Sequence, residues 1–387
     1  MIKNKPYVVL IYLFTLTLSI IAGASISYSI FARTDSKFSN PLGYKPPTEG
    51  VTDQKQPDEP KTESCPLNGE LYTKQQRQEW EKRRPLGIMV ENHVDARPQS
   101  GLQSADIVYE AVAEGGITRF LAIYYCDSVS PVGPVRSARV YFINILEGYG
   151  NYPLYAHVGG ANIEGPTDAL GLIVTLGWNL YNDLNQFSVP FPYFWRDYER
   201  LKDRAVEHTV YTSTDKLWQY AANKRKLTDV DSDGIRWDED FQNWEFDNNI
   251  TESGDVSKIS FGFWNNQFAN DFSVVWNFNP ETNHYTRENG GKPHLDLNTN
   301  KPLSFRTIIV LFAQETRTGN EKHHLLYKLT GTGDGLLFYN GLAQEITWRK
   351  NKTTDNFKFY DTDGNLVKLP TGKIFVEILP TGNKVEY

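Results

Sequence analysis

The sequence predicts an α/β or α+β N-terminal domain followed by a β-rich C-terminal domain, both carried on a single N-terminal transmembrane helix. Three observations lead there. Residues 7–32 run without a charge. Residues 84–225 mix short apolar or alternating runs with helical stretches, in the order strand, strand, strand, helix, strand, helix, which suits a layered fold. Residues 255–387 hold short aromatic-rich alternating runs split by turns, with no 3.6-residue period.

The chain opens with Lys3 and Lys5 before the uncharged stretch Tyr7 to Ala32. Roughly 20 apolar residues cross a bilayer core of about 30 Å, so 7–32 suffices. Lysines on the short side favour an N-terminus held inside. The same residues also read as a signal peptide, with Val8 to Ile21 as its apolar region and Ala22-Gly23-Ala24 as its cleavage site. Both readings export the rest, and no cysteine stands beside Ala24 to take a lipid. The expected organisation is residues 1–32 as cytoplasmic tip and anchor, and 33–64 as a tether with prolines 41, 46, 47, 57 and 60. A mixed domain over 65–225, an Asp-rich linker over 226–254 and a β-rich domain over 255–387 follow. Such a tether has almost nothing to bury, and it spans on the order of 100 Å when stretched as polyproline II.

Aromatic residues form 13% of the chain, far too many for disorder. The formal net charge is −7 with no arginine-rich stripe, which excludes a nucleic-acid binder. Cys65 ends the tether, and Cys126 ends the apolar run Phe120 to Tyr125. An oxidising compartment can join them. The alternative is two independent thiols, since spacing alone does not set geometry.

In the first half, Leu86 to Glu91 reads as a buried strand. Ala105 to Ala113 alternates, placing Asp106 and Glu110 on one face and adding Glu114 if the strand stays regular. Gly115-Gly116 turns the chain into the next strand. Residues 134–148 read as a helix opened by Pro134. Thr212 to Asn223 reads as another, capped by Thr212 or Ser213. In the second half the strand-like runs are Ile259 to Trp264, Phe272 to Phe278, Leu336 to Tyr339, Phe357 to Tyr360 and Ile374 to Leu379. The clearest turns between them are 279–283, Tyr339-Asn340-Gly341 and 361–364.

The segments Pro85-Leu86-Gly87-Ile88-Met89-Val90-Glu91-Asn92-His93, Ala96 to Leu102, Ala105 to Glu110, Glu114 to Phe120 and Gly133-Pro134-Val135-Arg136-Ser137-Ala138-Arg139 together resemble the YerB-like bacterial lipoprotein family. His157 to Gly160 and Gly331-Thr332-Gly333 onward continue the likeness. The resemblance implies two domains of unassigned activity on a membrane tether. It differs in that many relatives carry a lipid-modified cysteine, whereas this chain offers a helix.

Chemistry therefore rests on the residues. Arg97, Arg119, Arg136 and Arg139 accompany Asp106, Glu110 and Glu114, leaving a slight cationic excess. One reading is internal ion pairs that fix loops. The other is an anion site, with carboxylates aligning guanidinium forks for phosphate or carboxylate. Arg136 and Arg139 are expected to share a face near the helix start, and His157 joins the set beside Gly159-Gly160. A looser likeness to the LytR–CpsA–Psr ligases of wall polymers implies a divalent metal near Asp106, with Arg136 and Arg139 on pyrophosphate. Asp229, Asp231, Asp233 and Asp240 follow the spacing of a calcium loop, though Glu is absent from the twelfth position; a solvated turn is the alternative. Three functions are expected to compete. The first is a membrane-tethered extracytoplasmic domain binding an anionic envelope ligand of polyprenyl-phosphate or wall-polymer type. The others are a metal-dependent phosphotransferase and a scaffold for another envelope protein.

Overall fold

The computed structural model describes residues 59–387. The expected anchor over 7–32 and the tether up to residue 58 lie outside the described residues. Among those described, no helix is long and apolar enough to cross a membrane. The last residues assigned to the tether join the fold, because Glu63–Ser64 pairs antiparallel with Leu71–Tyr72.

The first half supplies strands β1 (Leu86–Glu91), β2 (Ile107–Glu114) and β3 (Ile117–Tyr124), then helix α1 (Val140–Leu146). Strand β4 (Leu154–His157), helix α2 (Ala169–Thr175), β5 (Asp183–Asn185) and helix α3 (Thr214–Tyr220) follow. The second half is almost all strand: β6 (Lys258–Phe261), β7 (Val274–Asn279), β8 (His284–Asn289), β9 (Thr307–Arg317) and β10 (Leu325–Lys328). It ends with β11 (Gly331–Tyr339), β12 (Leu342–Lys350), β13 (Lys358–Tyr360) and β14 (Ile374–Pro380). The architecture is thus mixed at the front and β-rich behind. The 11-residue β9, the longest of these strands, was not among the expected runs.

One 11-stranded sheet draws on both halves, in the order β13-β12-β11-β9-β14-β2-β3-β1-β4-β5, with β10 beside β9. β14 lies parallel to both β9 and β2, joining the two halves by backbone hydrogen bonds. Such a central strand is buried on both faces and reads as a continuous apolar run. That is how Ile374-Phe375-Val376-Glu377-Ile378-Leu379 reads, Glu377 excepted. A second, 6-stranded sheet containing β6, β7 and β8 packs its Trp276 and Phe305 against Phe375 of β14, with ring centroids 5.0 and 5.1 Å apart.

Three local expectations are corrected. The helix expected over 134–148 begins only at Val140, because the residues before it spend their backbone groups on other strands. Glu91 N donates to Pro134 O, Arg136 N to Met89 O, Val158 N to Arg136 O and Ala138 N to Gly159 O. Arg136 therefore lies in extended chain and Arg139 is the helix N-cap, so they share no helical face. The helix expected from Thr212 begins at Thr214 with Ser213, one of the two expected caps, as its N-cap, since Thr212 belongs to the short strand Val210–Thr212. Finally, β2 carries a bulge between Val112 and Glu114, which breaks the alternation and turns Glu114 away from the face of Glu110.

Cys65 and Cys126 form a disulfide with Cα atoms 6.0 Å apart. It fastens the start of the folded body to the end of β3. Under it sits fully buried Asp106, which accepts from Asn68 Nδ2 at 2.8 Å, Tyr125 N at 2.6 Å and Cys126 N at 3.1 Å.

Candidate functional site

The acidic and basic residues singled out from the sequence fall into separate clusters. Glu110 is fully buried and pairs with Arg287 Nη2 from β8. Its other oxygen accepts from Asn92 Nδ2 at 3.0 Å. Beside it in register stands Glu377 of β14, whose Oε1 is 3.5 Å from Arg287 Nε and accepts from Trp276 Nε1 at 3.1 Å. Burial, and then the neighbouring Glu110, holds the Glu377 carboxyl well above the usual range. One arginine thus serves two acids, one of them neutral.

Glu114 shows the reverse arrangement. It accepts from Arg119 Nη2 at 3.0 Å and from Arg139 Nε at 3.1 Å. Both arginine side chains are below 10% exposed, whereas Glu114 is 31% exposed. Burial pushes the Glu114 carboxyl up, but Arg119 and Arg139 outweigh it and hold the group at about 2. Two guanidinium charges meet one carboxylate, so the cluster carries an excess of one positive charge.

That excess lies behind the wall of a cleft of about 550 Å³, lined by Gly115, Trp264, Phe268, Arg317, His323 and His324 among others. Gly115 follows Glu114 in a left-handed turn that suits glycine, and His324 forms a β-bridge with Glu114. Arg317 lies 4.0 Å over the Trp264 ring, an arrangement that presents a planar cation beside an aromatic face. Trp264 is fixed by donating Nε1 to Glu315 at 2.9 Å, and Tyr327 OH donates to the same carboxylate at 2.6 Å. Burial and then Arg139 pull the His324 ring below its ordinary value, so it stays neutral near pH 7. The cleft therefore offers an apolar aromatic surface with positive potential behind it.

Other expected site residues lie elsewhere. Arg97 donates Nε to Asn92 Oδ1 at 2.9 Å and Nη1 to Asp271 O at 2.8 Å, tying the two halves together. Arg136 Nε pairs with Glu91 Oε1 at 3.1 Å, and Glu91 Oε2 meets His208 Nδ1 at 2.8 Å. His157 is buried, its two nitrogens 2.6 Å from Gly159 O and from Asp183 Oδ1. Asp106 belongs to the disulfide region and is closed to solvent; burial pushes its carboxyl up to about 7. The bulge takes Glu114 off the face of Glu110, and Asp106, Glu110 and Glu114 each engage different partners.

In the calcium-like loop, Asp231 Oδ1 accepts from Asp233 N and Ile235 N, both at 2.9 Å, and Asp229 pairs with Arg236. Asp240 is exposed. Asp229, Asp231, Asp233 and Asp240 form no group whose ligand atoms lie within 4.8 Å of one another. Trp264, Arg317, His323 and His324 did not figure in the expected site. Their signal was an arginine and two adjacent histidines flanking an apolar run, which has no evident meaning in sequence without the Gly115 turn opposite them.

Residues 71–228 match the N-terminal domain model of the family described as "Protein of unknown function (DUF3048)", and residues 264–376 match the C-terminal domain model of the same family. The chain belongs to the DUF3048 family. It is 30% identical over 334 residues to YerB of Bacillus subtilis (strain 168), a protein whose name describes it as a lipoprotein; the match covers 84% of this chain and 88% of the relative. The crystal structure of Bacillus subtilis YerB superposes with a TM-score of 0.67 at 28% identity, covering 84% of this chain and all of that one. The YerB-like resemblance is therefore a family relationship. The N-terminal DUF3048 segment contributes Gly115 to the cleft wall, and the C-terminal DUF3048 segment contributes Trp264, Arg317 and His324.

Proposed function

We propose that the folded body works outside the cytoplasm at a membrane surface and binds an anionic envelope ligand with an apolar portion, in the cleft between the Gly115 turn and the 317–325 segment. The observation that carries this reading is the Arg119–Glu114–Arg139 cluster, two guanidinium groups on one carboxylate, behind an aromatic cleft whose exposed cation, Arg317, has Glu315 3.8 Å away. A polyprenyl phosphate combines the two properties: an isoprenoid chain for Trp264 and Phe268, and a phosphate for Arg317 and the local field. Lys3, Lys5 and the uncharged run 7–32 support membrane attachment through a helix, with the N-terminus inside. The disulfide and the lipoprotein name of the Bacillus relative support the exported location. The phosphotransferase reading draws no support from Asp106, whose oxygens are taken up by Asn68, Tyr125 N and Cys126 N.

The test is thermal stabilisation of the full chain in a mild detergent by farnesyl phosphate, with farnesol and inorganic phosphate as controls. A ligand at 100 times its Kd stabilises by about 2.7 kcal/mol. Farnesyl phosphate should raise the melting temperature more than either control, and Trp264→Ala and Arg317→Ala should each abolish the gain. Equal gains in wild type and both variants, or no gain in wild type, would sink the reading.

A further inference from the structure

Where β1 ends, Glu91-Asn92-His93 leads into a short turn carrying Asp95, and the loop containing His208 folds over it. His93 and His208 stack with ring centroids 5.1 Å apart and planes 12° from parallel. His93, Asp95 and His208 each present a ligand atom, all within 4.8 Å of one another. Among the described residues one other such group exists, Cys65, Asp106 and Cys126, and its sulfurs are consumed in the disulfide.

We propose that His93, Asp95 and His208 form a binding site for a zinc-class divalent ion, distinct from the ligand cleft. Two imidazoles with one carboxylate suit zinc and its neighbours, whereas calcium and magnesium prefer sets made of oxygen alone. Three protein ligands also leave a position for water or an exogenous ligand.

The surroundings are built as such sites are. His208 is buried, and its Nδ1 faces Glu91 Oε2 at 2.8 Å, which fixes the ring and leaves Nε2 unengaged. A carboxylate behind a metal-bound histidine orients the ring and raises its basicity. Glu91 is in turn held by Arg136 Nε at 3.1 Å, which gives the arginine of Gly133-Pro134-Val135-Arg136 a positioning role. His93 Nδ1 accepts from Asp95 N at 3.2 Å with the Asp95 carboxylate 3.7 Å away, so an ion bound at Nδ1 takes that lone pair over from the amide. His93 and Asp95 are 33% and 51% exposed, so an ion can reach them from solvent and Asp95 can adjust. Arg204 approaches Asp95 at 3.5 Å, and Glu207 adjoins His208 in sequence. The Glu91, Asp95 and Glu207 carboxylates stand among Arg119, Arg136 and Arg204, so the surroundings are balanced in charge and the pull on a cation comes from the three ligand side chains themselves.

Untagged full chain in detergent, freed of metal by chelation, is titrated at neutral pH with zinc alone, then with magnesium and calcium alone. Zinc should raise the melting temperature with a stoichiometry of one ion per chain, and magnesium and calcium should not. Cobalt should give the visible absorption of a low-coordinate nitrogen–oxygen site. His93→Ala and Asp95→Asn, both at solvent-accessible positions, should fold and lose the zinc shift and the cobalt spectrum. Asp231→Asn should keep both. Absence of a zinc shift in the wild type, or equal zinc shifts in wild type, His93→Ala and Asp95→Asn, overturns the proposal. The farnesyl phosphate response does not depend on these residues, so each site can fail without the other.

Discussion

Strand β2 carries two arginine–carboxylate clusters only four residues apart, at Glu110 and Glu114, and they reverse one another. At Glu110 a single arginine, Arg287, stands among two acids, wholly enclosed between the two sheets. At Glu114 two arginines stand around one acid at the edge of a cleft. Enclosure decides the difference. Deep inside, an unbalanced charge costs several kcal/mol, so Glu377 keeps its proton and the cluster comes out neutral. At Glu114 the acid itself is 31% exposed while its two arginines are nearly buried, so the second cation acts on the cleft through its field and not by direct contact. One cluster binds the two halves together, and the other gives the surface its sign.

The largest effect expected is at the enclosed cluster. Arg287→Ala strands the Glu110 carboxylate and should cost about 3–5 kcal/mol, read as a fall in denaturation midpoint. A variant as stable as wild type would break the comparison, because it would mean that Glu110 is as well solvated as Glu114.

The third acid near the start of the same strand, Asp106, is tied down by the disulfide, which closes a loop of 61 residues in sequence. Reduction should lower stability by about 4 kcal/mol on the chain-entropy model. Cys65→Ala/Cys126→Ala should show a comparable loss that reductant does not deepen. If reductant costs the wild type nothing, the pinning of β2 at this end is dispensable.

Glu114→Gln should cost about 1–3 kcal/mol, the range for losing hydrogen bonds between charged groups. Its pH dependence sharpens the contrast. The folded carboxyl sits near 2, below its ordinary value of 4.5. The unfolded chain therefore binds the proton first as pH falls, and the stabilisation is complete above about 4.5 and disappears as pH drops through about 2. Wild type and Glu114→Gln should differ in melting temperature at pH 6 (roughly neutral conditions) and converge in strong acid. A gap that stays constant on acidification would show that the two arginines do not hold Glu114 ionised.

The smallest effect belongs to Glu377→Gln. A neutral acid replaced by an amide of the same shape should cost about 1 kcal/mol or less, since the Trp276 hydrogen bond can be kept. A loss as large as that of Arg287→Ala would mean that Glu377 is ionised.

Much of the fold was legible because the signals were local. Alternation marked β2, and the apolar run Leu86 to Glu91 marked β1. Aromatic runs with turns marked β6, β7, β11, β13 and β14. The pair Cys65 and Cys126 was legible as a bridge, because both cysteines lie beyond the charge-free segment and one ends a strand. The family motifs were legible as well, and they pointed to the region that holds Glu91, Glu114, Arg136 and Arg139.

What alternation and motif could state was which residue types stand near one another along the chain, and that four arginines gather over 97–139. What the tertiary structure alone decided was who answers whom. Arg287 reaches Glu110 across 177 positions of sequence, because β8 lies in the sheet packed over β14. A single bulged residue after Val112 sends Glu114 to Arg119 and Arg139 instead of to the face of Glu110. Arg136 and Arg139 part company because the backbone around Pro134 pairs with β1 and the Gly159 segment before any helix begins. Side-chain period is a property of a few consecutive residues, while the partner of a charge is set by which strands become neighbours and on which side each one is covered.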